Sequence, residues 1–338
     1  MFKTLIGLAA ASLFSLPVLA QGASPPSQMK TSSQTKIPPL SLTPNAVVAA
    51  APASEWRRIA PADLVVMDLA PDGEGRPRRV VIQLMPAPFS QGWVGNIRKL
   101  VAAHWFDGVA VVRVQDNYVV QWGDPDGETP GKAKPLPPGL RLVPESEYTA
   151  PLGAERTVMR TTKAASEVDA SVRRLLNPDA YARGSVAMVR GGWPVAMNLK
   201  QVWPLHCYGM VGVGRNNSPD TGTGAELYTV IGQAPRQLDR NIALVGRIIA
   251  GMEHLSSLPR GTGELGFYKT AQERTPIISV RMGDAVQGLP GYEYLSSESA
   301  SFAAYVGKRS NRKDAFYIQP AGGVDVCNVP VPIREVKP

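Results

Sequence analysis

Cysteine and histidine are nearly absent: two Cys (Cys207, Cys327) and three His (His104, His206, His254) in 338 residues. Two cysteines exclude a disulfide-dense scaffold and a four-cysteine zinc site. Three histidines this far apart argue against a His-rich metal centre. Charge is also scarce, at 19% against 44% hydrophobic. That balance fills a core and excludes a disordered chain, a coiled coil and a collagen. Beyond the first residues, no apolar run approaches the roughly 18 residues that a membrane span needs. The nucleotide-binding glycine patterns fail as well. Gly209, Gly212 and Gly214 lack their third partner, because Asn217 stands in its place. No P-loop lysine pattern and no Gly-x-Ser-x-Gly elbow exists. Asp124 and Asp126 are not followed by the rest of a Ca²⁺ loop.

Punctuation is abundant. Gly (32) and Pro (31) argue against long helices and for many short segments joined by turns. The formal net charge is +8, and its arginine pairs, Arg57-Arg58, Arg78-Arg79 and Arg173-Arg174, are spread along the chain. A scattered excess reads as solvated surface, not as a nucleic-acid arm.

Met1-Phe2-Lys3, an apolar run from Leu5 to Leu16, and Val18-Leu19-Ala20 before Gln21 form the pattern of a cleaved secretory signal. Cleavage near Ala20 and a periplasmic destination are expected, with no stable membrane insertion afterwards; a retained N-terminal anchor is the other reading. Residues 21–54 are rich in Ser, Pro, Thr, Gln and Ala and read as a flexible linker. In an oxidising compartment two readings stay open for Cys207 and Cys327: one disulfide, or two buried thiols.

Order is expected from about residue 55. Leu64–Leu69 and Arg79–Leu84 read as hairpin strands around Pro71-Asp72-Gly73-Glu74-Gly75. From Gln91 to Ala103, Trp93, Val94, Ile97, Leu100 and Val101 recur at helical spacing. Strands follow at 108–114 and 117–122, then a Pro- and Gly-rich loop at 125–144, and a weak helix between 155 and 176. Strand character returns at 208–211, 226–231 and 242–249, with a short helix near Gly251–Leu255. Ile277-Ile278-Ser279-Val280-Arg281 is the best strand of the mixed stretch after 261.

Two segments carry a resemblance. One runs from Phe106-Asp107-Gly108 through Arg113 to Tyr118-Val119-Val120-Gln121-Trp122-Gly123-Asp124. The other holds Gly209–Arg215, Pro219–Tyr228, Leu238-Asp239 and Leu244–Met252. In this order they resemble the cyclophilin family of peptidyl-prolyl cis–trans isomerases. That family shows a strand arginine, an aromatic and apolar pair, a Gln-x-Gly-Asp end, and a Gly/Ala-rich strand before a Gly-Met run. The resemblance implies a mainly β fold: a closed eight-stranded antiparallel β-barrel capped by two helices. Residues near 150–205 and 256–321 have no counterpart in a minimal member and are expected to be surface insertions in a domain spanning 55–338.

The resemblance also implies the site. Arg113 matches the catalytic arginine and Gln121 the glutamine that orients it. Tyr118, Val119, Tyr228 and Leu238 match the apolar proline pocket, and Gly214 and Arg215 match the strand that pairs with substrate backbone. Four positions depart: Glu226 replaces a glutamine, Gln237 a tryptophan, Ile242 a histidine and Tyr118 a phenylalanine. Glu226 is carried as a substrate-binding position despite its change. Rotation about X–Pro breaks no bond, so no cofactor or metal is expected; the expected partners are proline-containing polypeptides. The alternative is a non-catalytic proline-peptide-binding chaperone or scaffold module in the same compartment.

Overall fold

β-Branched residues crowd the strands of this chain, and Gly, Pro and Asn end them. The computed structural model describes residues 42–154, 179–182, 184–314 and 316–336; the expected signal and the helix between 155 and 176 lie outside them. The first strands are β1 (Trp56–Ile59), β2 (Leu64–Leu69), β3 (Arg78–Leu84), β4 (Ala110–Val114) and β5 (Val119–Gly123). Next come β6 (Ala150–Pro151), β7 (Val186–Arg190), β8 (Trp193–Met197), β9 (Gln201–Pro204), β10 (Met210–Val213) and β11 (Leu227–Val230). The last are β12 (Leu244–Ala250), β13 (Thr275–Met282), β14 (Gly291–Leu295) and β15 (Ile333–Val336). The helices are α1 (Pro44–Ala49), α2 (Gln91–Ala102), α3 (Glu253–Ser256) and α4 (Ala300–Ser310).

Eight strands close a barrel in the order β10-β11-β5-β4-β13-β2-β3-β12, with every neighbour antiparallel. Closure leaves no free edge. Val65, Met67, Ile82, Leu84, Trp122, Val211, Leu227 and Val245 point inward, and Ile97 of α2 and Phe106 join them. The apolar stripe read from the sequence is the buried face of α2: Trp93, Val94, Ile97, Leu100 and Val101. That helix packs on β12 and β13, and the single turn of α3 packs on β3.

Three features correct the sequence reading. Residues 256–321 are not wholly an insertion, because β13 lies inside them and closes the barrel between β4 and β2. Its signal is diluted by Pro276, by exposed Ile278 and by a bulge between Ile277 and Ser279. Secondly, the linker is shorter than 21–54. Thr43 accepts a capping hydrogen bond from Ala46 N, α1 packs on α4, and Val47 and Ala51 are buried. Thirdly, α4 adds a helix the sequence reading lacks. The described strands of the stretch near 150–205 do lie outside the barrel, where they form their own sheet, β6-β9-β8-β7.

A third sheet, β1-β14-β15, joins chain segments from both ends of the described region. Arg247 on β12 fastens all three sheets. It is buried, donates Nε and Nη2 to Gln83 Oε1 (2.9 and 2.7 Å) and Nη1 to Gly192 O (2.6 Å). Its guanidinium lies 4.3 Å from the Trp193 ring centroid and 5.8 Å from that of Tyr294. Burial holds its pKa down to about 10, so it stays a cation without a carboxylate partner, stabilised by ring faces and carbonyls. Arg247→Ala strands two buried acceptors and empties the space between the rings. A loss of about 3 kcal/mol is expected, read as a lower denaturant midpoint with unchanged slope. An unchanged midpoint would show that the three sheets are held by other contacts.

Candidate active site

Register places the site. Arg113 on β4 pairs with Gln121 on β5, Gln121 pairs with Tyr228 on β11, and Tyr228 pairs with Gly212 on β10. Side chains on one face of a strand alternate, so this row sits on the outside of the barrel, behind the inward Val120 and Trp122. Gly212 is required there: a Cβ would stand 2.3 Å from the Tyr228 ring and hydroxyl. The ring therefore lies flat across the glycine.

The row floors an open cleft lined by Arg113, Tyr118, Val119, Gln121, Gly214, Arg215, Tyr228, Leu238 and Ile242. Its apolar part is a small cluster separate from the barrel core, in which Val119, Tyr228 and Val230 pack with Tyr118 and Ile242. Each position expected to bind substrate or act on it lines this cleft, except Glu226, whose side chain lies against Gln121 and Gly214.

Arg113 is half-buried, and three groups hold it. Nη1 donates to Gln121 Oε1 at 3.0 Å, Nη2 to Gln115 Oε1, and Nε to Leu265 O at 2.7 Å. Rings flank it as well: the guanidinium lies 5.1 Å from the Phe267 centroid and 5.5 Å from that of Tyr118. Burial lowers its pKa from the usual value, and Tyr118 and Glu226 oppose that. Two of its five N–H groups have no acceptor assigned in this arrangement.

The contacts from Leu265 and Phe267 are outside what the sequence reading found. They come from the loop after α3, stitched to β4 by Gly261 N to Val114 O (3.0 Å) and Tyr268 N to Val112 O (2.9 Å). Gly266 adopts φ +79° and passes 2.7 Å, at its would-be Cβ, from Gln115 Cα. The signal was the string Gly261-Thr262-Gly263-Glu264-Leu265-Gly266, a close-approach pattern whose partner is far away in sequence.

Gln121 is held at its amide nitrogen as well: its Nε2 donates to Glu226 Oε1. That leaves Gln121 Oε1 facing Arg113, so the carboxyl sets which way the amide points. Burial pushes the Glu226 carboxyl up from its ordinary 4.5, against the Gln121 hydrogen bond and the attraction of Arg113. A raised folded value means that the folded chain binds the proton more tightly than the unfolded chain. Stability from this group is therefore lost as pH rises from about the unfolded value through the folded one. Glu226→Gln removes that loss and keeps an oxygen for Gln121. Its denaturant midpoint is expected to gain on wild type as pH rises from about 4 to about 8, and a gap that narrows or reverses contradicts the assignment.

Behind Tyr228 runs a buried polar chain. The Tyr228 hydroxyl lies 2.9 Å from His206 Nε2, and His206 Nδ1 lies 2.8 Å from Asp239 Oδ1. Asp239 also accepts from Arg236, which reaches Asp179 at 2.9 Å. Burial raises the Tyr228 pKa well above normal, so the hydroxyl stays protonated. His206 is thus committed on both nitrogens. Anchoring Asp239 also fixes the turn that turns Leu238 toward the cleft.

Helix α2 supports the far wall. Trp93 Nε1 donates to Thr221 O and Gly222 O (3.1 and 3.0 Å), and Asn96 Nδ2 donates to Thr223 O (3.0 Å). These bonds hold the glycine-rich turn between β10 and β11, where a Cβ on Gly222 would meet Gly214 O at 2.3 Å. Cys207 and Cys327 form a disulfide beside His206, which decides between the two readings left open by the sequence.

A closed antiparallel eight-stranded barrel with an arginine–glutamine pair beside an apolar cleft on its outer face defines a class of isomerase. Residues 78–282 match the model of the cyclophilin type peptidyl-prolyl cis-trans isomerase/CLD family, and the chain belongs to that family. Its activity is the isomerisation of X–Pro peptide bonds. The chain is similar to cyclophilin AquaCyp293 from Hirschia baltica, with a TM-score of 0.59 at 18% identity, covering 88% of this chain and 100% of that one. A Cryptosporidium parvum cyclophilin type peptidyl-prolyl cis-trans isomerase, solved in the presence of the dipeptide Ala-Pro, gives 0.37 at 11%, covering 65% of this chain and 98% of that one. The same Cryptosporidium protein in a second structure gives 0.36 at 12%, covering 65% and 97%. No curated protein matches the chain.

Proposed function

We propose that the cleft catalyses X–Pro rotation in exported polypeptides as they fold in the bacterial envelope, with Arg113 as the group that acts on the bond. The barrier to be crossed is about 18–20 kcal/mol, and nothing covalent changes along the way. Catalysis then consists of binding the twisted amide better than the planar one. In the twisted amide the prolyl nitrogen has lost resonance and gains a lone pair that accepts a hydrogen bond. A guanidinium is an always-charged, rigid donor suited to that task. The observation that carries the reading is the Arg113 Nη1–Gln121 Oε1 bond at 3.0 Å, made at the edge of the apolar cluster of Val119, Tyr228 and Ile242. A proline ring seated in that cluster brings its nitrogen under the arginine.

In this reading Gln121 orients the arginine, Tyr118, Val119, Tyr228 and Leu238 contact the ring, and Gly214 and Arg215 run beside the substrate backbone. Export rests on residues 1–20 and agrees with the Cys207–Cys327 cystine, which persists in oxidising surroundings. The experiment is refolding of a periplasmic protein whose slow phase is limited by a single X–Pro bond, with and without the isomerase, after fractionation of cells expressing the full chain. The expected result is a mature N-terminus near Gln21 in the periplasmic fraction and a faster slow phase. Retention of the chain in the cytoplasm, or a slow phase equal to buffer, contradicts the proposal.

A further inference from the structure

Two guanidinium groups face the cleft, and among the described residues neither is ion-paired with a carboxylate. Arg113 donates only to Leu265 O, Gln121 and Gln115, all uncharged. Arg215, half-buried at the end of β10, donates Nε and Nη2 to Asn241 O (3.1 and 2.8 Å) and Nη1 to Asn216 O (2.6 Å). These carbonyls hold the direction of the Arg215 side chain at the cleft without cancelling its charge.

Several other arginines are matched to carboxylates: Arg236 to Asp179 and Asp239, Arg281 to Asp107, Arg79 to Asp68. Two carboxylates feel the cleft arginines without forming an ion pair with them, and Asp220, held in its charged form, offsets only part of the charge of Arg215. Asp220 accepts the backbone N–H groups of Asn216 and Gly222 at 2.8 and 2.9 Å. Glu226 is spent on Gln121 and is pushed by burial toward its neutral form. The cleft thus carries surplus positive charge partly screened from water, in a chain of net charge +8.

We propose that this cleft selects polypeptide segments with an aspartate or glutamate within about two residues of the proline, Arg215 receiving the carboxylate while Arg113 serves the X–Pro bond. The reach follows from an extended backbone, about 3.3–3.6 Å per residue. Two of the five Arg215 N–H groups have no acceptor assigned, and a guanidinium fork suits a carboxylate. A lysine in the same substrate position meets two like charges and is rejected, so discrimination has an attractive and a repulsive part.

This inference rests on the isomerase reading, and the test separates the two. Five-residue peptides Ala-Xaa-Ala-Pro-Phe and Ala-Ala-Xaa-Pro-Phe, with Xaa as Glu, Gln or Lys, are compared by kcat/KM, each against its own uncatalysed rate. Wild type is expected to favour Glu over Lys by about tenfold in at least one series, with Gln between, and added salt to shrink the ratio. Arg215→Gln is expected to bring the Glu/Lys ratio to within about twofold, whatever its effect on the Gln peptides, and Arg215→Lys to retain part of it. Far-ultraviolet circular dichroism and the denaturant midpoint establish that the variants are folded. Equal kcat/KM for Glu and Lys in wild type, with the Gln peptides turned over, overturns the selectivity and leaves the isomerase reading standing. A ratio that survives Arg215→Gln overturns the role of Arg215. No acceleration of any peptide overturns both.

Discussion

Arg113→Ala is expected to lower kcat/KM for an Ala-Pro peptide by about 10²- to 10³-fold, the usual cost of removing one preorganised donor from a transition state. The loss falls on kcat and not on KM, because the prolyl nitrogen becomes an acceptor only when the amide twists. The planar ground state keeps its contacts with Val119, Tyr228 and Leu238, which line the rest of the cleft. Arg113→Lys keeps the charge but loses the rigid fork that spans Gln121, Gln115 and Leu265 at once, so its activity falls between the two. The measurement is exchange or temperature-jump kinetics on wild type and both variants, with the fold checked by circular dichroism. Arg113→Ala within a few-fold of wild type contradicts the assigned role.

Reducing the Cys207–Cys327 bond, or replacing both cysteines with alanine, is expected to cost about 4–5 kcal/mol of stability. The two cysteines are 120 residues apart in sequence, and closing a loop of that length removes much of the unfolded chain's freedom. Contacts around the bond add to this. Val326 and Val329 are buried in the core on one side, and His206 is fully buried on the other. The bond is the covalent tie between the C-terminal segment and the start of β10, next to the polar chain that holds Tyr228. Denaturant unfolding with and without reductant measures it, and equal midpoints would contradict a stabilising role. The cost also means that the protein is weakest in a reducing compartment, in keeping with the expected export.

Much of the barrel was legible because its strands announce themselves locally. Val65 to Leu69, Val80 to Leu84 and Leu244 to Ala250 are dense in β-branched residues, and α2 shows its stripe at helical spacing. β13 was read as a strand but not as part of the barrel. Its eight residues alternate imperfectly, and which strands it lies between is decided by partners 164 to 217 residues away. In the site, Arg113, Gln121, Tyr118, Val119, Tyr228 and Leu238 were found through the order of motifs along the chain. Leu265 and Phe267 were missed because a carbonyl oxygen and an exposed ring carry no local mark of what they cover. The His206–Asp239 pair was missed for a similar reason: a buried histidine looks the same in sequence whether it binds metal, acts as a base or orients a tyrosine. Arg247 read as one more basic residue, although its burial between two rings joins three sheets.

Turnover of X–Pro bonds in this cleft is read most simply by two-dimensional exchange NMR on an Ala-Pro peptide with catalytic amounts of the wild-type chain and no coupling protease. Cis–trans exchange cross-peaks are expected at mixing times where the peptide alone, rotating over tens of seconds or longer, shows none. Shifted peptide resonances without accelerated exchange, from a folded chain with its disulfide intact, would contradict that expectation and identify a proline-peptide binder without turnover.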